Sequence, residues 1–243
     1  MTRRLVFALC LVLVCVPSVW AGTYSTIFAA TEDPISESGR WINGRTVGLD
    51  WANVRTTPGL AFGTQSGSSG TYDDSTALLN GTWNPDHTAE ATVRIVNASS
   101  VGYREVELRL RSTVTAHSNS GYEVLCNVNT SPSWGIQIVR WFGPLGSYDY
   151  IATGPALNCV TGDVIRATIA GNPPTITVWR NGVQVLQGTD RFANPPTTGS
   201  PGIGFWNRGA TNADYGFSYF SATDGGTVGS GLPPSAPIDL IAR

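Results

Sequence analysis

The segment from Tyr103 to Arg111 constrains the fold of this chain more than any other stretch. Read with a period of two, it places Val106, Leu108 and Leu110 on one face and four charged residues on the other. A helix would scatter these charges around its circumference and leave no apolar stripe wide enough to bury. The alternation therefore predicts a β-strand with one face in a core, as in an antiparallel sheet that is covered on one side only.

The charged face of this strand, formed by Glu105, Glu107, Arg109 and Arg111, has two interpretations. Opposite charges on a half-buried sheet commonly lie in water and pair along and across strands. The same groups could instead form a concave face that binds sugars. The solvated face is favoured, because exposed charge is the default state of such a sheet.

Alternating segments of the same kind recur along the chain, and no stretch has a convincing helical pattern. Between two of them stands Asn181-Gly182, the residue pair most typical of a two-residue hairpin turn. The composition agrees, with 28 Gly, 15 Pro and only 13% charged residues. Many short strands in one continuous run predict an all-β sandwich or barrel. The predicted strands are 22–30, 88–96, 103–111, 121–128, 134–141, 148–152, 164–170, 175–180, 183–187, 202–206 and 214–222.

The two ends of the chain differ in composition from this run. Residues 1–21 combine two Arg, a short apolar stretch and small residues before Gly22, which predicts a cleaved secretory signal too short to span a bilayer. Residues 22–222 form the predicted domain. Residues 223–243 read as a flexible linker and tail, whose last part is similar to the opening strand of a fibronectin type III module and could equally be a frayed end. The protein is therefore expected to be secreted, extracellular or on the cell surface.

Charge and cysteine content exclude some classes of function. All 15 basic residues are Arg, against 17 acidic residues, so there is no basic surface for nucleic acid and no lysine to act as a base or Schiff-base former. Only Cys126 and Cys159 lie outside the signal segment. In an oxidising compartment they would form one disulfide, and two buried thiols are an equal alternative because sequence does not give the distance between them.

Seven short motifs follow one another along the predicted domain, at residues 37–41, 72–75, 121–124, 138–141, 162–163, 177–182 and 202–206. In order and spacing they resemble the concanavalin A-like lectin/glucanase superfamily, in the LamG-like jelly-roll branch found in exported bacterial proteins. The resemblance covers most of residues 24–222. It implies a two-sheet antiparallel β-sandwich, a jelly roll, whose concave sheet often meets carbohydrate, and it does not by itself imply an activity.

An enzyme on this fold would need a suitable pair of carboxyl groups. Glu105 and Glu107 lie on one face about 6.6 Å apart along the strand, which is a crude match. The Glu-x-Asp-x-(x)-Glu pattern of laminarinase-like members is missing, and Arg109 next to Glu107 would favour an ionised carboxylate over a catalytic acid. The His and Lys of the alginate lyase-like pattern are missing too. A catalytic site, if present, would consist of Glu105, Glu107, Arg109 and Gln137.

Acidic loops and histidines supply only weak candidates for metal binding or catalysis. Asp33, Asp73 and Asp74 could be ligands of a structural calcium ion, although turn residues of this kind are usually structural, and the sequence establishes no cofactor. His87 and His117 fall in predicted loops, where a solvated histidine is more common than a catalytic one.

Carbohydrate binding makes fewer demands than catalysis, because aromatic rings and planar polar groups suffice. Trp141 and Trp179 are opposite in phase to the Ile and Val residues of their strands, so both are expected on exposed faces. The sequence favours a non-catalytic module that binds a polysaccharide or cell-surface glycan, as a monomer or as part of a larger surface protein. A polysaccharide hydrolase or lyase and a structural adhesion module remain open. The predicted ligand-binding residues are Glu105, Glu107, Arg109, Glu123, Gln137, Trp141 and Trp179.

Overall fold

The computed structural model of the chain describes residues 22–67, 72–99, 102–128 and 134–225. The predicted signal segment and most of the predicted linker and tail lie outside these residues. The described residues form two antiparallel sheets, of eight and seven strands, which confirms the predicted β-sandwich. No helix in this part of the chain is both long and apolar enough to cross a membrane.

The eight-stranded sheet consists of β1 (Thr23–Thr26), β3 (Val54–Thr57), β4 (Leu60–Gly63), β6 (His87–Ile95), β11 (Val164–Ala170), β12 (Thr175–Arg180), β13 (Val183–Thr189) and β15 (Tyr215–Thr223). Its strand order is β13-β12-β11-β6-β15-β4-β3, and β1 pairs with β15. Asn181 and Gly182 join β12 to β13 with positive φ angles of 52° and 79°. A two-residue hairpin turn of this type requires that conformation, so the predicted hairpin is confirmed.

The seven-stranded sheet consists of β2 (Trp41–Asn43), β5 (Ser75–Leu79), β7 (Tyr103–Thr115), β8 (Ser118–Asn127), β9 (Ile136–Gly143), β10 (Tyr148–Thr153) and β14 (Ser200–Arg208). Its order is β10-β9-β8-β7-β14-β5-β2, so the strand predicted from residues 103–111 lies at its centre. Short 3-10 turns occur at Arg45–Val47 and Asn212–Asp214.

The core lies between the two sheets. Val106, Leu108 and Leu110 of β7 are fully buried there and belong to one apolar cluster with Ala91 and Val93 of β6. Burying a side chain such as Leu stabilises the fold by about 1.5–3 kcal/mol, so this face fixes the register of the central strand.

The opposite face of β7 is not the solvated face that was favoured from the sequence. Glu107 and Arg109 are 0% and 1% exposed. The segment 44–53 between β2 and β3 crosses this face, with Gly44 N–H bonded to the Thr76 carbonyl and the Gly48 carbonyl bonded to His117 N–H at the β7–β8 turn. We call residues 44–53 the covering loop. It excludes water from charges that would otherwise be exposed.

Arg111 leaves this face altogether. The pairing of β7 with β8 shifts register between Leu110 and Thr113, and Arg111 has a positive φ of 43°. Its guanidinium donates to the Pro85 carbonyl (2.7 Å) and to Asp86 (2.9 Å). The bulge therefore directs Arg111 away from Arg109, contrary to the simple alternation.

The two histidines and the cysteines have defined positions. His87 is buried at the start of β6, so its prediction as a solvated loop residue was wrong. Its Nδ1 lies 2.9 Å from the Asn84 carbonyl, and burial lowers its pKa to about 4. His117 is exposed in the β7–β8 turn, as expected. Cys126 and Cys159 form a disulfide with Cα atoms 6.1 Å apart.

Candidate functional site

A groove of about 300 Å³ lies on the outer face of the seven-stranded sheet. Side chains on neighbouring strands face it together because of their register: Glu105 of β7 is opposite Trp206 of β14 and Asn127 of β8, and Tyr150 of β10 is opposite Val139 of β9. The covering loop lies beside the groove, where its Trp51 packs on Arg109 and Trp141. Its polar lining consists of Asp74, Glu105, Glu123, Gln137 and Arg208.

Aromatic rings form the rim of the groove. Trp134 is 52% exposed and packs edge-on against Tyr103, with ring centroids 5.6 Å apart. Its backbone N–H donates to Asn127 Oδ1 (2.6 Å), and Asn127 Nδ2 donates to Glu105 Oε1 (3.0 Å). One buried amide thus positions both an exposed ring and a groove carboxyl group.

A tyrosine cluster forms the opposite wall. Tyr148 lies between Tyr72 and Tyr150, with ring centroids 5.3 Å and 5.5 Å away, and it also contacts Trp141 at 5.1 Å. Tyr72 and Tyr150 are exposed on their outer side. Burial raises the pKa of Tyr148 and of Tyr150 above the usual value, so both phenols stay protonated and can donate hydrogen bonds.

The floor of the groove covers a buried ionic cluster. Arg109 donates from Nη1 to Glu123 Oε2 (2.7 Å) and from Nη2 to Asp74 Oδ2 (3.0 Å) and to Glu107. Trp51 of the covering loop stacks on the guanidinium, with Cζ 4.8 Å from its ring centroid. One cation therefore serves three buried carboxyl groups.

Three carboxyl groups of this region hold their protons more strongly than solvated ones. Burial raises the pKa of Glu105, Glu107 and Asp74 well above the usual range, and the charge of Glu123 adds to the effect at all three. Arg109 acts in the opposite direction at each, but it does not cancel the effect of burial. The region carries more acidic groups than its cations can neutralise.

A glycine makes room for the ionic cluster. Gly204 of β14 is opposite Glu107 in the sheet. A Cβ atom at this position would lie 2.8 Å from Arg109 Nε and would overlap Glu107 Oε2. The glycine therefore lets the Glu107–Arg109 pair lie flat across the β14 backbone.

The predicted binding residues fall into three groups. Trp141 lines the groove but is only 4% exposed, so the expectation of an exposed ring was wrong: it packs against Trp51 at 4.6 Å and donates to Glu123 Oε2 (2.6 Å). Trp179 lies on the outer face of the other sheet, where its ring covers Arg166. Of the remainder, Glu105, Glu123 and Gln137 line the groove, while Glu107 and Arg109 lie beneath it.

Sequence reasoning missed most of the aromatic residues that line the groove. Tyr103, Tyr148 and Tyr150 have the strand phase that points away from the core, and this pattern could have identified them. Trp51 and Tyr72 come from irregular segments, where no periodicity indicates a direction.

The three calcium candidates do not form a common site. Asp33 is exposed and lies 3.8 Å from Arg55, and Asp73 lies 3.3 Å from the Ser66 hydroxyl. Asp74 belongs to a group with Glu107 and Glu123 whose oxygens lie within 4.8 Å of one another, which is compatible with a cation. Arg109 is bonded to all three carboxyl groups, so a metal ion would have to displace its guanidinium.

Comparison with known proteins places the chain by its fold. No family model and no curated protein sequence matches it, so the LamG-like assignment stays a prediction. A solved structure titled as a native glycosidic hydrolase is similar at TM-score 0.51 and 14% identity over 84% of this chain and 96% of that one. A structure titled for endo-acting O-glycanases of human gut microbiota has TM-score 0.53 and 9% identity over 84% and 99%. The carbohydrate binding module CBM66 from Bacillus subtilis has TM-score 0.47 and 16% identity over 78% and 95%. The first two structures, with TM-scores above 0.5, share the jelly-roll β-sandwich, and at these identities the likeness shows the fold alone.

Proposed function

We propose that the protein binds a saccharide in the groove of the seven-stranded sheet. The observation that carries this proposal is the groove itself, in which exposed rings of Trp134, Tyr72 and Tyr150 stand beside carboxyl and amide groups. Sugars bind by stacking their C–H faces on such rings while planar polar groups bond to their hydroxyls. Two structural neighbours with TM-scores above 0.5 are titled as a glycosidic hydrolase and as O-glycanases, which supports the same ligand class.

The proposed setting is extracellular, with a polysaccharide or cell-surface glycan as the partner. The Cys126–Cys159 disulfide supports this, because disulfides persist in oxidising compartments. The signal segment predicted at residues 1–21 points the same way.

Binding without catalysis is the better-supported activity. Glu107 is fully buried, and Arg109 bonds to Glu107, Asp74 and Glu123, so these three carboxylates are already engaged. A glycosidase needs a second free carboxyl group as nucleophile or base. Glu105 is the groove carboxyl without a bond to Arg109 among the described contacts.

One observation favours hydrolysis as a second candidate. Glu105 lies partly exposed in the groove, and burial of its carboxyl group raises its pKa, which is what a general acid requires. Catalysis would then need Asp74 or Glu123 to leave Arg109 when substrate binds.

The test is to incubate the purified protein with a panel of soluble and insoluble polysaccharides, scoring protein depletion together with release of reducing ends or unsaturated products. We expect depletion without products, and a loss of affinity of about 3- to 10-fold in Trp134→Ala, from removal of one stacking ring. Trp179→Ala, on the other sheet, is the matched control and should bind normally. Products that disappear in Glu105→Gln would make this an enzyme. If there is neither depletion nor product release, a structural module is the remaining interpretation.

A further inference from the structure

The groove has an unbalanced charge. Four carboxyl groups line or underlie it, against Arg109 in the floor and Arg208 at the rim. Arg208 stacks on Tyr103, with Cζ 4.9 Å from the ring centroid. The carboxyl groups thus outnumber the cations by two among the described residues of the groove and its floor. The four carboxyl groups are those of Asp74, Glu105, Glu107 and Glu123.

One of these groups also has an unmet hydrogen-bonding capacity. Glu107 is fully buried, and its Oε1 has no hydrogen-bond partner among the described residues. This oxygen belongs to a carboxyl group packed within 4.8 Å of two others. A buried acceptor without a partner is costly, and positive charge in the groove above it would stabilise the ionised form of this carboxyl group through space, without a direct bond.

The tyrosine cluster on one side of the groove also suits a positively charged ligand. Tyr72, Tyr148 and Tyr150 meet at centroid distances of 5.3 Å and 5.5 Å, beside the carboxyl groups. The faces of aromatic rings are negative and attract ammonium groups, more strongly where water is excluded from the contact. Aromatic faces and carboxylates together form a recurring cage for a cationic amine.

We propose that the saccharide bound in the groove carries protonated amino groups, as in a polymer of 2-amino-2-deoxyhexose. This inference rests on the proposed function and specifies its ligand. A neutral sugar would remove water from the carboxyl groups without replacing the lost interactions, and an anionic sugar would add to the repulsion. An ammonium group supplies the missing charge while the sugar ring stacks on Trp134.

Proton release follows from this arrangement. Without a ligand, burial raises the pKa of Glu105, Asp74 and Glu107 and so favours the uncharged form of each. A bound ammonium group lowers these pKa values, so protons leave the protein on binding. A purely steric or stacking role for the groove would release none.

The experiment compares a glucosamine oligosaccharide with the N-acetylated oligosaccharide of the same length, by isothermal titration calorimetry at a mildly acidic pH that keeps the amines protonated. We expect the deacetylated ligand to bind about tenfold more tightly, with a preference that declines as salt is added. Buffers of different ionisation enthalpy should reveal proton release. Glu105→Gln, which removes one charge at nearly constant shape, should lower the ratio of the two affinities.

The outcomes separate this inference from the proposed function. If both oligosaccharides bind equally and Trp134→Ala weakens both, the groove binds saccharide and the amine proposal is wrong. If neither oligosaccharide nor any member of the polysaccharide panel binds, both proposals fail. Calcium chloride titrated alone is a third arm, and calcium binding that is lost in Glu105→Gln would overturn the amine in favour of a metal ion.

Discussion

Replacing Arg109 with Met tests whether this residue is the counter-ion of the groove floor. The change keeps an apolar stem under Trp51 and removes the guanidinium from Asp74, Glu107 and Glu123. Breaking a buried ion pair by removing one partner costs about 3–5 kcal/mol, and the lost cation–π contact with Trp51 adds up to about 2 kcal/mol. Protonation of the remaining carboxyl groups offsets part of this. We expect the free energy of unfolding to fall by about 4 kcal/mol at neutral pH.

The pH dependence distinguishes lost charge compensation from lost packing. Without Arg109 the folded-state pKa values of the carboxyl groups rise further above their unfolded values. The folded variant then binds more protons than the unfolded chain, so its stability falls as pH rises. Its deficit relative to wild type should therefore be largest at neutral pH and shrink on acidification.

Urea unfolding of Arg109→Met and wild type at neutral and acidic pH measures this deficit. Arg55→Met is the matched control, because Arg55 pairs with Asp33 across an exposed 3.8 Å contact whose loss should cost under about 1 kcal/mol. A variant as stable as wild type at neutral pH, or a deficit that stays constant with pH, would show that Arg109 is not the compensating charge.

Three further predictions concern other parts of the fold. Gly204→Ala should displace the Glu107 carboxyl group and lower the free energy of unfolding by about 1–3 kcal/mol in urea titrations, through overpacking. Replacing Cys126 and Cys159 together with Ala removes a cross-link across 33 positions and should cost about 4 kcal/mol in the same assay. The pKa of His87 is lowered to about 4 in the folded state, so wild type gains stability from the neutral imidazole above about pH 6.5 and loses it as pH falls towards about 4. His87→Leu should remove this pH dependence. Urea midpoints measured across that pH range check the prediction, and a variant whose midpoint changes with pH as much as that of wild type would contradict it.

The strands were predictable where one face only is buried. Residues 164–170 and 175–180 coincide with β11 and β12, because buried and more exposed positions alternate along most of both strands. β4 and β5 were missed, since every residue of both strands is buried and no alternation marks them.

The candidate site was predictable only in part. The phase of Glu105 and Gln137 correctly placed both outside the core. Glu123 was expected beside them only if their strands were neighbours, and β7, β8 and β9 are adjacent in the sheet. The phase of Trp179 also placed it outside the core, but phase does not indicate which sheet a strand joins, because both sheets have an outer face. Burial of Arg109 depends on Trp51, which is 58 positions earlier in the sequence, and such long-range cover leaves no local pattern.

Ligand protection of tryptophan tests the central claim most directly. The protein is oxidised with N-bromosuccinimide, with and without a saccharide found to bind, and each tryptophan is followed by peptide mass spectrometry. If the groove is the binding site, the ligand should protect Trp134 and leave the oxidation of Trp179 on the other sheet unchanged. Protection of Trp179 with no effect at Trp134 would contradict the account and place the binding surface on the eight-stranded sheet.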